Sequence, residues 1–147
     1  MKSKKIIVAV SMEPATQRPL QKLREFNFLP DCEIQLIHVA PLILSVSGTE
    51  LSIQTSPSEE ERPKLEKNIL NKLSELEHLI FPNHQNVISK VLFDSNEKAA
   101  FNDYVAVEKA DFVVIATRGK HGHLNFFDSS FAQHQLNHSP ANVIILR

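Results

Sequence analysis

Glycine is scarce in this chain of 147 residues, which has three of them. No G-x-G-x-x-G turn, no Walker phosphate loop and no G-x-S-x-G nucleophile elbow is present. Cysteine is scarcer: Cys32 stands alone, which excludes an intrachain disulfide and a cysteine-rich zinc site. Lying at the start of an apolar run, it reads as a small hydrophobe. Charge of one sign is lacking too, since 16 basic against 17 acidic residues give a formal net charge of -1. That balance offers no electrostatic case for nucleic acid or an anionic membrane surface. Long apolar runs are also missing. Behind the basic Met1-Lys2-Ser3-Lys4-Lys5, the run Ile6 to Val10 is too short for a signal-peptide core, and no stretch reaches membrane-spanning length. The expectation is a cytoplasmic protein with neither nucleic acid nor membrane among its partners.

What is present suits a single domain, residues 1–147, with a real core: 42% of residues are hydrophobic and 22% charged. Ile6 to Val10 reads as a buried strand ending at Ser11. Leu20, Leu23 and Phe26 mark one face of a helix, with Pro19 placed near its start. Ile34 to Ala40 reads as a second strand stopped by Pro41. Residues 41–57, rich in Ser, Thr and Pro, read as a long connection whose Leu42, Ile43, Leu44 and Leu51 pack locally. Ser58-Glu59-Glu60-Glu61 is a capping box, and Leu65, Ile69, Leu73, Leu76 and Ile80 make the apolar stripe of the helix it starts. Val87 to Phe93 gives a third strand, and Asp94 to about Lys109 a third helix. Phe112 to Ile115 is a short run, apolar without alternation, as in a strand buried on both faces. A loop with Gly119 and Gly122 follows, then a helix from Ser130 to about Asn137 and a strand from Val143 to Leu146.

Alternating strands and helices imply a parallel α/β sheet with helices on both faces. Ligands in such sheets sit beyond the carboxyl ends of the strands, where strand order reverses. Ser11, Val39 and the loop after Ala116 occupy such ends. Strand, glycine loop and the Ser129-Ser130 pair at a helix start form an arrangement that presents backbone N–H groups to an anion. A phosphoacceptor aspartate is missing, because Ser11 ends the first strand while Asp111 precedes its own. Seven histidines include His121 and His123 in the loop and His134 and His138 at helical spacing. No carboxylate or cysteine completes a ligand set at a recognisable spacing, so no metal site is expected. His38, within the second strand, reads as a satisfied buried histidine.

Three segments together resemble the universal stress protein family: Lys5-Ile6-Ile7-Val8-Ala9-Val10, Leu36-Ile37-His38-Val39, and Ala110 to Gly119 with Ser129-Ser130 and the closing Asn142 to Arg147. The resemblance covers nearly the whole length. It implies one three-layer domain with a five-stranded parallel sheet, Rossmann-like and of the adenine nucleotide α-hydrolase kind. It also implies a homodimer joined through the C-terminal strand and a role in bacterial stress survival. Members that hold ATP carry G-x2-G-x9-G-[S/T] and an aspartate ending the first strand. Here the spacing persists as Ala116-x2-Gly119-x9-Ser129-Ser130, with Ala116 and Ser129 in place of glycines and Ser11 in place of the aspartate. Val39 matches the position whose backbone faces adenine.

Each departure has a physical cost. A Cβ narrows the approach of phosphates to the backbone. Loss of the carboxylate removes an acceptor of strong hydrogen bonds, each worth roughly 1.5–3 kcal/mol. The expectation is a non-enzymatic dimer acting through a protein partner not named by the sequence, with weak or no ATP binding and no cofactor. The alternative is a stress switch that binds ATP or AMP weakly.

Overall fold

The computed structural model describes residues 2–27, 29–48, 52–117 and 130–147. Five strands are parallel: β1 (Lys5–Ala9), β2 (Glu33–Pro41), β5 (Val87–Asp94), β6 (Phe112–Ala116) and β7 (Asn142–Leu146). Their order across the sheet is β5-β2-β1-β6-β7. The central strands carry β-branched and apolar residues on both faces because both faces are covered. One face packs Ile6, Val8, Ile34, Leu36 and Val114 against Leu20 of α1 (Pro14–Leu20) and Ile69, Leu73, Leu76 and Ile80 of α2 (Arg62–Ile80). The other packs Ile7, Ile37, Val113 and Ile115 against Phe101 and Val105 of α3 (Glu97–Glu108) and Ala132 of α4 (Ser130–His138). The three-layer α/β architecture is the one that the alternation of elements implied.

Four local readings are corrected. Residues 41–57 do not form a plain connection: β3 (Ile43–Ser47) and β4 (Ser52–Ser56) pair as an antiparallel ribbon. Gly48 turns out of β3 with φ 78°, a conformation that glycine adopts without a Cβ clash. The first helix is only seven residues long, with Pro14 opening it and Pro19 inside it rather than at its start. A proline interior to a helix lacks the N–H for the ladder, and the chain tightens at once into a 3₁₀ turn, Gln21–Glu25. That turn still buries Leu23, so the spacing marked the right face. The apolar stripe of α2 starts at Ile69, since Leu65 is 36% exposed.

The reciprocal bonds of the capping box form, but in the turn just before α2, whose N-cap is Glu61. The Glu61 N–H donates to Ser58 Oγ at 3.3 Å, and the Ser58 N–H donates to Glu61 Oε2 at 2.9 Å. These bonds hold the Glu61 carboxyl below the usual carboxylate range. α3 is capped by Asn96 Oδ1, which accepts from the Ala99 N–H at 3.1 Å, and it ends on Lys109 in the left-handed conformation. Among the described residues no helix is long and apolar enough to cross a membrane.

Candidate functional site

The carboxyl ends of β1, β2 and β6 open into a cleft of about 960 Å³. β1 has β2 on one side and β6 on the other, so the chain reverses its direction of travel across the sheet at β1. Ser11 lies two residues beyond β1, Val39 lies in β2, and Ala116 ends β6; all three line this cleft. Gly119 and Ser129 fall outside the described residues. Ser130 opens α4, and the next residue, Phe131, reaches the cleft.

The hydroxyl of Ser11 is engaged in its own turn. Its Oγ accepts from the Glu13 N–H at 3.1 Å, and its carbonyl accepts from Gln17 Nε2 at 2.9 Å. The residue therefore shapes the path from β1 into α1 and supplies no carboxylate to the cleft. Val39 is 8% exposed and Ala116 9%, so each offers mainly backbone and a small apolar surface. Thr117 follows Ala116, buried, with its N–H donating to the Leu146 carbonyl at 2.8 Å. That bond ties the end of β6 to β7.

Residues that the pattern reading did not assign complete the cleft. His38 is half-buried and satisfied, as expected, with Nδ1 at 2.7 Å from the Val10 carbonyl, but it also lines the cleft. α2 contributes Asn68, Asn71, Lys72 and Glu75 to the rim, and α3 contributes Glu97 and Phe101. No local motif announces these: they arrive because two helices on opposite faces overhang the same strand ends. Among the described lining residues the full charges are Glu13, Glu75 and Glu97 against Lys72. Acidic groups in the majority disfavour a polyphosphate and tolerate a ligand of lower charge.

Two polar clusters lie elsewhere. In the first, Lys5 Nζ is 2.8 Å from Glu108 Oε2 and 3.6 Å from Glu33 Oε1. Gln35 Nε2 donates to both carboxylates, at 2.9 Å to Glu33 and 3.1 Å to Glu108, and Tyr104 OH donates to Gln35 Oε1 at 2.7 Å. The Lys5 hydrogen bond holds the Glu108 carboxyl below its usual range, and the same bond raises Lys5. Asp111 is also lowered, chiefly by the Lys5 N–H that it accepts at 2.9 Å. Burial raises Tyr104 and the buried thiol of Cys32. The second cluster is His134, His138 and Asn102 at the contact of α3 with α4, where burial first and the neighbouring His138 second lower His134. Among the described residues no three His, Cys, Asp or Glu side chains are grouped to hold a metal ion.

Comparison with known proteins agrees with this fold. The family model described as the Universal stress protein family matches residues 2–147. A universal stress protein from Archaeoglobus fulgidus in complex with dAMP is similar in structure, with a TM-score of 0.64, 18% identity and 100% of both chains covered. A universal stress protein, UspA, from Lactobacillus plantarum aligns with a TM-score of 0.68 and 16% identity over 100% of this chain and 99% of that one. A universal stress protein in complex with cAMP aligns with a TM-score of 0.66 and 10% identity, covering 98% and 96% of the two chains. No curated protein matches the sequence.

Proposed function

Taking as premise that the chain belongs to the universal stress protein family, we propose that it is a non-enzymatic, dimeric stress-response protein acting through a protein partner. Its strand-end cleft takes an adenine nucleotide weakly and favours a monophosphate over ATP. The observation that carries this reading is the cleft itself: about 960 Å³ at the point where strand order reverses, lined by Ser11, Val39 and Ala116. That volume accommodates a nucleotide, and relatives of the same fold were solved with dAMP and with cAMP. What departs is the grip. Ser11 has no carboxylate for a sugar hydroxyl, and three glutamates on the described lining face a single lysine. Val39 offers backbone to a base in either case. Binding without chemistry is supported by the same residues, since the Ser11 hydroxyl already serves its turn and the His38 ring is held on the Val10 carbonyl.

The double variant Ser11→Asp, Ala116→Gly tests the reading. An aspartate can accept the Glu13 N–H as the serine does, so the turn is preserved while a carboxylate enters the cleft. One restored charge-assisted bond, worth roughly 1.5–3 kcal/mol, corresponds to AMP binding that is about tenfold or more tighter. Unchanged AMP affinity in a folded double variant contradicts the assignment of these positions to a nucleotide site.

A further inference from the structure

His134 and His138 lie four residues apart on α4, the spacing that puts two side chains on one helix face. Their ring centroids are 4.6 Å apart with the planes at 44°. His134 is half-buried and His138 exposed, so one ring is held by the fold and the other faces water. Asn102 of α3 reaches across to the first ring, with its Nδ2 3.2 Å from His134 Nε2. The oxygen of that amide, Oδ1, is buried without a hydrogen-bond partner among the described residues. The pair is away from the strand-end cleft, which neither histidine lines.

We propose that His134 and His138 chelate a divalent transition-metal ion, of the Ni²⁺, Cu²⁺ or Zn²⁺ class, with Asn102 positioning the His134 ring. Imidazole is the ligand these ions share. Each bonds a ring nitrogen at about 2.0–2.1 Å, a reach that lets one ion sit between two rings this close. Water fills the remaining positions, so no carboxylate or cysteine is needed, and the expectation of no metal site rested on requiring one. The proton count is consistent. With Asn102 donating to Nε2, the neutral His134 ring carries its proton on Nδ1. An ion taking Nδ1 moves that proton to Nε2, and a half-turn of the Asn102 amide presents Oδ1 to accept it. A ligating histidine whose other N–H is held by a carbonyl is the usual outer arrangement of a metal site. The positive charge of Lys98 acts on His134 and opposes the ion.

The test uses the untagged full chain and nickel chloride alone. Calorimetry follows the affinity, and NMR of the imidazole nitrogens reports which rings the paramagnetic ion broadens. The expected result is broadening centred on His134 and His138. Asn102→Leu should weaken Ni²⁺ by about tenfold, and His134→Gln or His138→Gln by more. Lys98→Gln should tighten it, and His78→Gln should change nothing. His138 is exposed, so its variant folds if any does, and the NMR of the unaltered chain decides independently of all variants. Broadening that falls on other histidines alone, or wild-type affinity in a folded His134→Gln or His138→Gln variant, overturns the proposal.

Discussion

Two glutamines are fully buried, Gln35 at 1% exposure and Gln135 at 0%. Gln35 spends its whole amide: Nε2 on Glu33 and Glu108, Oε1 on the Tyr104 hydroxyl. Gln135 has no partner for either Nε2 or Oε1 among the described residues. An unpaired buried amide carries a desolvation cost of about 1–3 kcal/mol, which an apolar side chain of similar shape avoids. Gln135→Met should therefore raise stability by about 1 kcal/mol, measured by urea denaturation with the slope unchanged. A loss of stability would show that Gln135 has a partner. Neither glutamine is legible in the sequence, because nothing local tells a glutamine on a strand or helix that its neighbours supply donors or withhold them. Ser11, Val39 and Ala116 were legible as residues at strand ends, where the cleft opens. Each terminates or nearly terminates an apolar run, and strand ends are where such sheets bind.

The inner strands β1 and β6 were legible for a physical reason: burial on both faces selects unbroken apolar runs such as Phe112-Val113-Val114-Ile115. The β3–β4 ribbon was not. Its strands alternate, Leu44-Ser45-Val46-Ser47 against Ser52-Ile53-Gln54-Thr55, and the serines and threonine gave the stretch the composition of a loop. Directly paired residues share a face, so Leu44, Val46, Ile53 and Thr55 lie together on one side. The three apolar side chains on that side stay exposed, with Ile53 at 70%. Anchors near its base include Leu42, whose N–H donates to the Asp94 carbonyl at 3.0 Å, and Arg62, whose Nη2 donates to Thr55 Oγ1 at 3.3 Å. Ile53→Ser should thus change stability by no more than about 0.5 kcal/mol. Leu73→Ala, a fully buried position of α2, should cost about 2–5 kcal/mol. Equal losses at the two sites would mean that the ribbon packs on its own chain.

At the scale of the molecule, the sheet order leaves β7 at an edge beside β6, with Val143, Ile144 and Ile145 each partly buried. An apolar edge strand with unpaired backbone groups invites a second strand, which is the basis of the proposed dimer. Sedimentation should find a dimer at micromolar concentration that Ile145→Lys separates; a monomer, or a dimer indifferent to the lysine, contradicts it. The strand-end cleft lies where the order of strands reverses. Its position followed from the order of strands, whereas the charge of its described lining came from Glu13, Glu75, Glu97 and Lys72, which no local motif marks. Among the described lining residues carboxylates outnumber cations, and the Ser11 hydroxyl is already engaged in its own turn. Calorimetric titration of the unmodified chain with ATP tests this most directly. The account predicts binding no tighter than the high-micromolar range, about -5 to -6 kcal/mol, and weaker than AMP under the same conditions. Low-micromolar ATP binding, or ATP preferred over AMP, would contradict it.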